Sequence, residues 1–112
     1  MAVTFTLSSM QEARLLCITF PNSVDEIVRA NIRSLAEKVK TQWLELLHCG
    51  YGLTENDFVV NFSLSGYQEA DEDYIAFLED LLAIVGHEVT IKAVDDLARL
   101  WECQLRQRLQ EG

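Results

Sequence analysis

NFSLSGYQEADEDYIAFLEDLL, residues 61–82, changes character halfway. At its start Phe62 and Leu64 alternate with Asn61 and Ser63, the period of two that marks a strand. From Tyr74 onward the apolar positions fall three and four apart: Tyr74, Ile75, Leu78, Leu81 and Leu82, then Val85 beyond the quoted stretch. That is the apolar face of a helix. Between the two patterns Ser65-Gly66 breaks the strand, and Glu69, Asp71, Glu72 and Asp73 crowd the approach to the helix. A strand handing over to an amphipathic helix within so few residues is the unit from which α/β domains are built.

Working outward, the strand extends back through Phe58 and Val60, and its second face begins with Val59, which suits an interior strand. After the helix Gly86 is a stop, and Val89-Thr90-Ile91-Lys92-Ala93 reads as a short strand. Asp95 or Asp96 can cap a last helix striped by Val94, Leu97, Ala98, Trp101, Leu105 and Leu109. At the other end Val3, Phe5 and Leu7 alternate with Thr4, Thr6 and Ser8, and residues 14–20 are apolar and β-prone, so a hairpin opens the chain. Pro21 stops its second strand. Ser23-Val24-Asp25-Glu26 has the form of a capping box. Behind it Val28, Ile32, Leu35, Val39, Trp43 and Leu46 predict one long helix over residues 24–48, ended by Gly50 and Gly52. The expected fold is therefore a single α/β domain, residues 1–112, with a mixed four-stranded sheet, the order β-β-α-β-α-β-α, and helices mainly on one face.

Composition bounds the function. The 112 residues are 49% apolar, enough for one core without staples. Eighteen acids against nine bases give a net charge of −9, which repels a phosphate backbone and favours partners with basic patches. Direct nucleic-acid binding is not expected. Cys17, Cys49 and Cys103 are odd in number and scattered, the pattern of free thiols in a reducing compartment. With no long apolar run and no basic-then-apolar leader, the expectation is a cytoplasmic protein that binds no membrane. No metal, cofactor or catalytic constellation is expected: GxSxG, HExxH and a glycine-rich phosphate loop are all missing from the sequence. His48 reads as a helix-terminal residue, His87 as a turn residue, and Trp43 and Trp101 as core anchors.

The runs Asp57-Phe58-Val59-Val60-Asn61-Phe62-Ser63, Asp73-Tyr74-Ile75-Ala76-Phe77-Leu78 and Gly86-His87-Glu88-Val89-Thr90-Ile91 together resemble the middle of a STAS domain. That family includes the antagonists of bacterial anti-sigma factors. The resemblance implies a regulatory domain that binds another protein through the loop after the strand and the start of the following helix. Regulated members carry a phosphorylatable Ser or Thr there, in an Asp-Ser-Ser-Gly type motif. Here the matching place reads Ala70-Asp71-Glu72-Asp73, with no hydroxyl to modify. Asp71 matches the motif's aspartate, and a carboxylate imitates phosphate with less charge.

The expected contact surface is then Tyr67, Glu69, Asp71, Glu72, Asp73 and Tyr74. The acids supply steering, and the tyrosines supply contact area. Arg99, Arg106 and Arg108 gather on the last helix, which makes the molecule polar and leaves room for a homodimer. The alternative is an acidic inhibitor, an immunity protein or a nucleic-acid mimic, that blocks a basic enzyme with its whole surface.

Overall fold

A computed structural model describes residues 3–10, 13–21, 24–41, 46–65, 71–86 and 89–111. The elements are β1 (Val3–Met10), β2 (Ala13–Pro21), α1 (Glu26–Thr41), β3 (Leu46–Leu53), β4 (Asp57–Ser65), α2 (Asp71–Val85), β5 (Val89–Ala93) and α3 (Asp96–Glu111). They form one five-stranded mixed sheet in the order β3-β4-β2-β1-β5. Among the described residues only β1 and β5 are parallel neighbours; the β1–β2, β2–β4 and β3–β4 ladders are antiparallel. The crossovers through α1 and α2 do join strands running the same way, but each skips the intervening strands.

The sheet has five strands rather than the four expected, and the element order gains a strand between the first two helices. The difference lies at residues 46–53. The apolar steps from Val28 to Leu46 keep a helical period on paper, yet α1 ends at Thr41. From His48 the chain alternates instead: Cys49, Tyr51 and Leu53 share one side, and His48, Gly50 and Gly52 the other. Pairing with β4 gives this segment a backbone partner and covers an edge that β4 would otherwise expose. Gly50 and Gly52 are thus strand residues, not a helix stop, and His48 and Tyr51 lie on a strand. Gly86 does close α2: its φ is 62°, and its N–H donates to the Leu82 carbonyl at 3.0 Å.

Cross-strand rows assemble the core. Val60, Ile18, Phe5 and Ile91 form one row, and Phe62, Leu16 and Leu7 the next. All are buried, as are Ile32, Leu35 and Val39 of α1, Phe77, Leu78 and Leu81 of α2, and Ala98, Trp101 and Leu105 of α3. The three helices lie on this face, with α2 between α1 and α3. On the reverse face Thr4, Thr6 and Ser8 align with Thr19, Cys17 and Leu15, and those with Val59, Asn61 and Ser63. Among the described residues, no helix covers that hydroxyl-rich face.

Two aspartates set the helix starts. Asp25 Oδ1 accepts from the Ile27 N–H at 2.7 Å and so caps α1; Ser23, expected to do this, lies outside the described residues. Asp95 caps α3 by accepting from the Ala98 N–H at 2.9 Å, and its carboxylate also accepts from the Ser9 N–H at 2.7 Å and the Ser9 hydroxyl at 2.9 Å. One side chain therefore fastens the end of β1 to the start of α3. These donors, the Ala98 and Ser9 amides foremost, hold the Asp95 carboxyl below its ordinary range. Asp95→Ala is expected to lower stability at neutral pH by about 0.5–2 kcal/mol, the usual range for a lost cap. A depressed pKa stabilises only above the unfolded value of about 3.9, and that contribution is lost as pH falls through the folded value. Urea melts should therefore show the gap between wild type and variant narrowing as the pH falls below about 4. A gap as wide there as at neutral pH would show that the ionised carboxylate is not what holds the corner.

Candidate functional site

Tyr67 and Glu69 lie outside the described residues. Asp71 opens α2. Glu72 is exposed and Asp73 half-buried on the first turn, where unpaired amides favour negative charge. Arg108 of α3 reaches this corner, its Nε 3.7 Å from Glu79 Oε1 and its Nη1 donating to the Glu72 carbonyl at 3.5 Å. Among the described residues, no ion pair engages the carboxylate of Glu72 or Asp73. The clustered arginines of α3 are engaged by acids as well, Arg99 with Asp96 at 2.8 Å and Arg106 with Glu102 at 3.3 Å.

Tyr74 does not belong to a contact surface. It is 0% exposed and sits edge-on to Trp101, ring centroids 5.2 Å apart. The Arg14 guanidinium, itself buried, lies 5.0 Å from the centre of each ring. The apolar stripe of α2 turns Tyr74 inward, and that demand outweighs its place beside three acids. Burial pushes its phenol well above the ordinary tyrosine range, a rise that the Arg14 charge only moderates. Trp101 is a core residue as expected; Trp43 and His87 lie outside the described residues.

A second area was not anticipated, the seam where α1 overlies β3. Arg29 lies over the Phe58 ring at 4.4 Å, Phe58 stacks on Tyr51 with centroids 6.2 Å apart, and Arg33 lies over Tyr51 at 5.5 Å. On β3 Leu47 is 53% exposed, Tyr51 43% and Leu53 71%. Arg33, Glu37, Leu46, Leu47, Cys49 and Tyr51 line a hollow of about 460 Å³. Burial raises the Cys49 thiol, against the lowering effect of its hydrogen bond with Tyr51. Burial, then the bond to Cys49, pushes Tyr51 up to about 12. Both groups therefore stay protonated at neutral pH, so Cys49 is a weak nucleophile and the seam is suited to contact. The signal in the sequence was the alternation of Cys49, Tyr51 and Leu53, which the two glycines disguise.

A smaller hollow of about 220 Å³ on the reverse face gathers Ser8, Cys17, His48, Asn61 and Ser63. Cys17, Cys49 and Cys103 are free thiols. Among the described residues, no cluster of three or more His, Cys, Asp or Glu side chains is placed to hold a metal ion. Nor is any helix among them long and apolar enough to cross a membrane. The chain matches no protein-family model and no curated protein sequence.

Proposed function

We propose that this domain works by binding another protein that presents a basic patch, at the acidic start of α2. The observation that carries the reading is the disposition of charge. Of nine bases, Arg29, Arg99, Arg106 and Arg108 pair with the protein's own acids, and Arg14 is buried. The excess negative charge therefore faces outward, and Glu72 stands open at a helix terminus. Such a field speeds encounter with a cationic surface more than it tightens the final complex. The resemblance to a STAS domain belongs to this reading, and in it Ala70-Asp71-Glu72-Asp73 lacks the modifiable hydroxyl. Binding would then be constitutive at that position rather than switched by phosphate.

The test is the triple change Asp71→Ala, Glu72→Ala, Asp73→Ala. Against a partner captured by the wild-type domain, the association rate should fall several-fold and its salt dependence flatten, with Tm nearly unchanged. An unaltered rate removes the patch from the interface. If charge reversals on several faces weaken binding equally, the whole-surface inhibitor is the better description.

A further inference from the structure

We propose that β3 is a self-association edge: a second copy of this chain pairs with it antiparallel about a twofold axis at Gly50, fusing two five-stranded sheets into one. This goes beyond the acidic contact at α2, which lies elsewhere on the molecule.

The edge itself comes first. The strand LLHCGYGL carries no Lys, Arg, Asp, Glu or Pro, the residues that ordinarily blunt an exposed edge. The opposite edge, β5, is blunted: it has five residues and carries Lys92. An open, apolar, uncharged edge is a template for another strand.

Three features choose a second copy as that strand, and they share one centre. An isologous interface needs residue i opposite j and j opposite i. Around Gly50 the sequence satisfies this with Cys49 opposite Tyr51 on the helix side, and the regular register runs from His48 to Leu53, beyond the bulge between Leu46 and His48. On the reverse side the His48 ring lies over Gly50, its Nε2 2.9 Å from where a Cβ would stand, and Gly52, which comes opposite His48, has nothing within 4 Å of its own Cβ position. The third feature is charge. Along the overlying α1, Arg33 sits over Tyr51, the charge of Glu37 bears on both Cys49 and Tyr51, and all four line one hollow. The rotation that exchanges Tyr51 with Cys49 of the second copy therefore also sets Arg33 against its Glu37, twice over. Two copies each carrying −9 repel, but this is their least negative side: α1 holds four of the nine bases and two of the eighteen acids.

Sedimentation equilibrium of the full chain from about 5 to about 200 µM should show a concentration-dependent rise from 12.8 kDa toward twice that mass. Leu53→Lys, at an open position, should weaken the dimer by about tenfold or more while the dilute chain melts as before. Arg33→Glu and Glu37→Arg should each weaken it about fivefold, and the double exchange should recover most of the loss, since the exchanged pair is again complementary across the axis. The Asp71, Glu72, Asp73 triple variant should dimerise like wild type. A strict monomer at the highest concentration overturns the proposal. So does a dimer indifferent to Leu53→Lys, single exchanges that the double does not rescue, or an edge occupied by a different protein while the chain stays monomeric.

Discussion

Tyr74→Phe should leave the protein as stable as wild type, or more stable by up to about 1 kcal/mol, whereas Tyr74→Ala should destabilise it by about 3–5 kcal/mol. Alanine opens a ring-sized cavity against Trp101 and Arg14. Phenylalanine keeps both aromatic contacts and deletes only the hydroxyl, which is buried with no hydrogen-bond partner among the described residues. Burying such a group without a partner is unfavourable, so its removal is not expected to do harm. Urea denaturation at neutral pH measures both changes against a total of roughly 5–15 kcal/mol for a domain of this kind. A loss above about 1 kcal/mol for Tyr74→Phe would sink the idea that the hydroxyl is idle. The same site governs alkaline stability. The folded phenol is raised above the ordinary tyrosine value of about 10, so its contribution is fully present below that pH. It is lost as pH climbs, because the unfolded chain releases the proton first. Stability of Tyr74→Phe should therefore decline less steeply above about pH 10.

Arg14 should show the complementary behaviour. Arg14→Ala removes a buried side chain that spans two aromatic faces and is expected to cost about 3 kcal/mol or more, through lost packing and lost cation–π attraction. Arg14→Met fills most of the same volume but loses the charge and both cation–π contacts, and should lose less than Arg14→Ala. Equal losses in the two variants would show that the charge itself, not the volume, holds β2 against α2 and α3.

How far the sequence disclosed this molecule depends on whether a signal was local. The alternation of Val3, Phe5 and Leu7, the apolar run of residues 14–20 and the five residues Val89–Ala93 each carry their strand identity in themselves, and all three form strands. The face of α2 was equally plain, down to the glycine that closes it; of the stripe expected on α3, Ala98, Trp101 and Leu105 are buried, whereas Val94, Leu97 and Leu109 are exposed, and of the two candidate caps it is Asp95 that serves. β3 was hidden because the spacing from Val28 to Leu46 imitates a continuing helix, and because glycine is a poor strand former that resembles punctuation. Strand order was hidden for a different reason: which strands become edges is decided by pairing across long separations. The seam of α1 and β3, a product of that order, was therefore invisible too. Tyr74 shows a conflict in the other direction. Its place on the apolar stripe was legible, but its acidic neighbours suggested a surface role that packing does not permit.

The position of β1 has a bearing on how this protein is made. β1 is flanked by β2, its immediate successor, and by β5, near the other end of the chain; Ser9 and Asp95, which join across that boundary, are 86 positions apart. During vectorial synthesis the first four strands can find one another as they emerge, but the outer side of β1 stays uncovered until β5 has left the ribosome. Closing so distant a contact raises the contact order and slows folding. The nascent intermediate is then a four-stranded sheet with β1 as its bare flank, the stage at which a chaperone has most to protect.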